Sequence, residues 1–102
     1  MILQGTNIPI TVEFEQSVEG FPKLVATLWG QGKLLKKWEK PDMTISTSVI
    51  QLPVDEDETR KWKKGKAKLD IKGLNQLNQT VFWEDAIITI EPRDDKDVDL
   101  ID

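Results

Sequence analysis

The chain has 102 residues, room for one domain of ordinary size and a short tail, and a second hydrophobic core is excluded. Hydrophobic residues make up 38% and charged residues 31%, with no apolar run of bilayer length, so a soluble globular domain is expected. Cys and His are both absent, which removes disulfides, thiolate nucleophiles, the usual general base and the commonest metal ligands, and the net charge of −4 disfavours a phosphate-seeking surface over the whole molecule.

The first pattern is Ile8, Ile10, Val12 and Phe14 alternating with Pro9, Thr11, Glu13 and Glu15, a period of two that puts one apolar row on one sheet face. Pro9 has no amide hydrogen and belongs near that strand's start or on an edge. Leu24 to Trp29 is apolar on both faces apart from Thr27, as expected of a central strand covered on both sides or close to it. Gly30-Gln31-Gly32 offers two residues free to take positive φ and predicts a hairpin into Lys33 to Glu39. Pro41-Asp42 breaks the chain, and Met43 to Val54 is rich in β-branched residues with a bend at Ser46-Thr47-Ser48, giving two short strands or one bent one.

Asp55 and Glu58 have capping-box spacing, and the acidic run Asp55 to Glu58 complements a helix dipole, so a short helix near residues 55–63 is predicted, ended by Gly65. Ala67, Leu69 and Ile71 then alternate with Lys66, Lys68, Asp70 and Lys72, an amphipathic strand. After a turn at Gly73 to Asn78, the apolar run Thr80 to Ile90 is interrupted by Glu84-Asp85, where a bulge or kink is expected. About seven short strands with one helix favour an all-β, antiparallel immunoglobulin-like β-sandwich over residues 1–92. Residues 93–102 form an acidic C-terminal tail, and residues 91–102 carry six acidic against two basic side chains. No internal repeat or heptad pattern is present.

Three segments occur in a suggestive order. They are Gln4-Gly5-Thr6-Asn7-Ile8-Pro9-Ile10-Thr11-Val12, then Val54-Asp55-Glu56-Asp57-Glu58-Thr59 leading to Gly65 and Ala67-Lys68-Leu69-Asp70-Ile71, then Ala86-Ile87-Ile88-Thr89-Ile90-Glu91-Pro92. Together they resemble the immunoglobulin-like domains of tailed-phage baseplate proteins, especially the N-terminal domain of baseplate upper proteins. Gln16 to Lys23 departs from that family's first turn, and no Gly precedes the last strand. The resemblance implies a non-enzymatic structural or adaptor component of a phage or prophage tail, in contact with other tail proteins or with itself. Such a protein is made in the cytoplasm, with the virion as its destination, and Met1 to Gly5 shows no basic, apolar secretory leader.

Candidate interaction residues follow from chemistry. Trp62, Lys64, Lys66 and Lys68 sit in a basic cluster from Arg60 to Lys72 that offers phosphate attraction and base stacking, although alternate lysines on a wet strand face serve solubility equally well. On a regular strand one member of the Phe82/Trp83 pair faces outward, where it invites a protein partner or a stacked sugar. At least two of the four tryptophans belong to the core. In the tail, Val98 and Leu100 among aspartates form an extended segment suited to adding a strand to a neighbour's sheet edge. The tail's aspartates lack EF-hand spacing, and Glu84 and Asp85, consecutive on a strand, point to opposite faces and cannot share a glycosidic bond. No catalytic residue, metal or cofactor is therefore expected, and no membrane contact. The alternative is a binding module for carbohydrate or nucleic acid that uses exposed Trp and the Arg60–Lys72 cluster, with nucleic acid the less favoured ligand of the two.

Overall fold

The computed structural model describes residues 1–92, so the expectations placed on Val98, Leu100 and the acidic tail fall outside the described residues. The chain is mostly β with one short helix. In chain order the strands are β1 (Ile2–Leu3), β2 (Ile10–Glu13), β3 (Lys23–Gly30), β4 (Lys33–Glu39), β5 (Thr44–Ser46), β6 (Val49–Leu52), β7 (Gly65–Leu74) and β8 (Thr80–Glu91), with a 3-10 turn at Lys40–Asp42 and helix α1 at Glu56–Lys61. They form a five-stranded sheet of order β1-β8-β7-β3-β4 and a three-stranded sheet of order β2-β6-β5. There are eight strands rather than seven, and the larger sheet is mixed, because β1 lies parallel to the end of β8 (Ile2↔Ile90, Leu3↔Glu91). Two residues carry no readable alternation, which is why β1 leaves no periodic signal, yet Ile2 is buried.

The two sheets share one core. Ile10, Ile50 and Leu52 of the smaller sheet join Leu24, Ala26, Leu28, Leu69 and Ile71 of the larger. These are alternate residues of their strands, as a pleated surface requires. The β3–β4 hairpin forms where expected, but its positive-φ residues are Gln31 (φ 53°) and Gly32 (φ 79°), the pattern of a two-residue primed turn. Gly30 stays in the strand for a different reason: a Cβ there would lie 2.8 Å from Leu35 Cδ1.

Several expectations are corrected. The first apolar row begins at Ile10, leaving Ile8 exposed outside the ladder while Phe14 folds in beyond the strand's end, its N–H donating to Ser48 O at 2.8 Å. Strand β3 is central, with its inner face buried and its outer face only partly covered, since Val25 and Thr27 are half-buried and Trp29 is exposed. Asp55 has the extended backbone of an N-cap but makes no side-chain capping bond. Its would-be partner Glu58 is drawn instead to Lys36 on β4, with Nζ–O distances of 2.5 and 2.7 Å. Helix α1 ends at Lys61 with Trp62 extended, so Gly65 (φ 134°) opens β7 and does not end the helix.

Nor does Glu84-Asp85 bulge. The β7–β8 register runs unbroken through Ile71↔Glu84 and Asp70↔Asp85, and its one irregularity falls at Gly73/Leu74. Both acidic residues are exposed, and Lys68 Nζ lies 3.6 Å from Asp85, so a straight strand carries them without burying charge. Lys68 also lies 3.8 Å from Asp70, bridging two carboxylates that the register sets opposite each other.

Candidate functional site: the outer face and free edge of β8

Strand β8 pairs with β7 along its whole length. On its other side, among the described residues, only β1 pairs with it, at Ile90 and Glu91. Among the described residues the outer edge of Thr80 to Thr89 is therefore unpaired and offers alternate backbone N–H and C=O groups. Alternation places Val81, Trp83, Asp85 and Ile87 on the outer face, where Val81, Trp83 and Ile87 are 56%, 59% and 65% exposed. Phe82 points the other way and stacks on Phe21 and edge-on to Phe14, with centroids at 5.1 and 5.5 Å. Phe82 is thus a packing residue and anchors β8 under the outward row.

The opposite edge of the same sheet provides a comparison. Strand β4 carries Lys33, Lys36 and Lys37 in seven residues, the charged decoration that protects an edge from unwanted pairing. Strand β8 has no Lys, Arg, Pro or Gly in twelve residues, and its only charges before Glu91 are Glu84 and Asp85 at its middle.

The Arg60–Lys72 cluster does not act as one surface. Trp62 is 6% exposed and packs into the core, so it offers no stacking face, and its carbonyl accepts from the Gln4 side chain. Lys68 lies between Asp70 and Asp85, and Lys72 Nζ sits 5.7 Å from the Trp83 ring centroid as a cation over an aromatic face. Lys64 is exposed beside Gly65, and its carbonyl faces the Gln31 amide at 3.5 Å. Trp38 is core, so Trp29 and Trp83 are the exposed pair, both on the outer face of the larger sheet. Trp29 Nε1 donates to Thr27 Oγ1 at 3.1 Å.

The sequence expectation named the Phe82/Trp83 pair, one member of which was to face outward, and missed Val81 and Ile87. The signal was present, because Val81, Trp83 and Ile87 share the odd-numbered register of one strand. The unpaired edge itself was not readable, since it depends on which strand pairs beside β8. Among the described residues no cluster of three Asp or Glu converges as a metal site, and no helix is long and apolar enough to cross a membrane. Comparison with protein-family models, curated proteins and solved structures gave no significant match to this chain.

Proposed function

We propose that this protein is a non-enzymatic adaptor that binds an extended segment of another protein along the free edge of β8, with Val81, Trp83 and Ile87 as apolar anchors. The observation that carries the reading is the contrast between the lysine-bearing β4 edge and the uninterrupted, largely apolar β8 edge. Strand addition draws affinity from backbone hydrogen bonds and specificity from alternate side chains, and β8 offers both. We further propose that the two sheets form an immunoglobulin-like sandwich, a proposal supported by their shared core.

Charge selects the occupant. In the antiparallel registers that overlap two copies of Thr80–Thr89 most fully, Glu84 faces its own copy or Asp85 does, and like charges directly opposite are destabilising. A foreign strand with Lys or Arg at its middle, flanked by alternating apolar residues, converts that repulsion into attraction. In the setting suggested by the resemblance to baseplate domains, this strand belongs to a neighbouring tail protein in the virion. Sugar stacking is the weaker alternative, because Lys72 already lies over the Trp83 ring.

A displayed library of extended peptides selected on the full-length protein tests this. Selected peptides are expected to alternate apolar residues around a central Lys or Arg. Each of Val81→Thr and Ile87→Thr should weaken them roughly tenfold, as the loss of one buried aliphatic anchor implies. Peptides without that pattern, or binding indifferent to both substitutions, would overturn the proposal. Glycan-dependent quenching of tryptophan fluorescence would favour the sugar reading instead.

A further inference from the structure

At one end of the molecule the β3–β4 turn meets the connection from α1 to β7. A pocket of about 150 Å³ lies there, lined by Lys33 of β4, Lys61 at the end of α1, Lys63 and Lys66, with Gly30, Gln31 and Leu35 completing its wall. The four lysines come from two stretches of chain, residues 30–35 and 61–66, that only the fold brings together. Among the described residues none of the four has a carboxylate within 4.0 Å, whereas Lys36, Lys37, Arg60 and Lys68 each do. In a chain of net charge −4, four uncompensated ammonium groups around one concavity repel one another, and a bound anion relieves that repulsion.

The wall is held from both sides. The Gln31 side-chain amide donates to Lys64 O at 3.5 Å, tying the turn to the connection. Gly65, at φ 134°, takes the backbone between Lys63 and Lys66 through a conformation that other residues rarely adopt. The concavity has room for several waters, and so for a compact anion of two linked phosphate groups. Lysine ammoniums bind phosphate as point charges without the planar geometry a carboxylate prefers, so four of them suit a compact, highly charged oxyanion. A nucleic-acid strand fits poorly, because it needs a track with stacking faces and the neighbouring Trp62 is buried.

We infer that this pocket is a binding site for a small, multiply charged phosphate anion of diphosphate type. It is independent of the β8 edge and stands or falls separately. The test is titration of the full-length protein with inorganic pyrophosphate, followed by amide NMR shifts at constant ionic strength. The expected result is saturable binding with shifts confined to residues 30–35 and 61–66. Orthophosphate should bind at least about tenfold more weakly, and the double variant Lys63→Gln, Lys66→Gln should lose at least about tenfold in affinity, while Lys72→Gln on the outer face binds as the wild type does. Shifts that spread over all lysines without saturating, or that sodium chloride reproduces at equal ionic strength, would overturn the site. A twelve-nucleotide oligothymidylate that binds more tightly than pyrophosphate and perturbs Trp29 or Trp83 would replace it with a nucleic-acid surface.

Discussion

Trp38→Ala is expected to cost about 4 to 5 kcal/mol of folding stability, close to the whole stability of a small domain. The indole is 1% exposed within the shared core, and its Nε1 donates to Pro53 O at 2.7 Å, joining β4 to the segment that leads into α1. Truncation removes the largest fully buried side chain and leaves a carbonyl without its donor. Trp38→Phe separates the two contributions: it keeps most of the ring volume, loses the hydrogen bond, and should cost about 1.5 to 3 kcal/mol. Urea unfolding followed by far-UV circular dichroism measures both. A cost below about 1 kcal/mol for the alanine variant would contradict the core described here.

Thr59→Val is expected to cost about 2 to 4 kcal/mol although it preserves shape. Thr59 is fully buried, and its hydroxyl accepts from Thr6 N at 3.1 Å and lies 2.8 Å from Thr6 O, to which it donates. This pair fastens α1 to the link between β1 and β2, and so holds the parallel strand β1 at the end of β8. Valine strands both backbone groups of Thr6. Thr59→Ser retains the hydroxyl and forfeits one methyl, for about 1 kcal/mol. The order serine above valine in unfolding midpoint identifies the hydrogen bonds as the cause, and the reverse order would assign the site to packing alone.

What the sequence made legible was local. The β3–β4 hairpin, the alternation of Ala67, Leu69 and Ile71, one outward member of the Phe82/Trp83 pair and the short helix all follow from patterns within a few residues. What it hid was long-range. Glu58 has the spacing of a cap, but a lysine 22 residues away claims it once β4 lies beside the helix. Lys33 shows no link to Lys61, Lys63 and Lys66 until the hairpin turn docks against the α1–β7 connection. The acidic pair Glu84-Asp85 looks like a kink when read along one strand, yet on an exposed edge it needs no distortion. Thr59 was visible only as a residue in a motif, since its hydrogen-bonding partner is 53 positions distant.

The two faces of β8 differ in their tolerance to change. Phe82 is fixed by two aromatic contacts, whereas Val81, Trp83 and Ile87 contribute little to the core and are free to serve a partner. Replacing the outward residues should therefore alter binding while leaving unfolding within about 0.5 kcal/mol of the wild type.

Backbone amide exchange along β8 in the isolated full-length protein tests the central claim most directly. The account predicts that alternate amides between Val81 and Thr89 exchange rapidly while those bonded to β7 are protected, and that the rapid set slows when a selected peptide binds. Uniform protection of every β8 amide in the free protein would show that the edge is already covered, by residues 93–102 or by a second copy, and would contradict the proposal that it awaits another protein's strand.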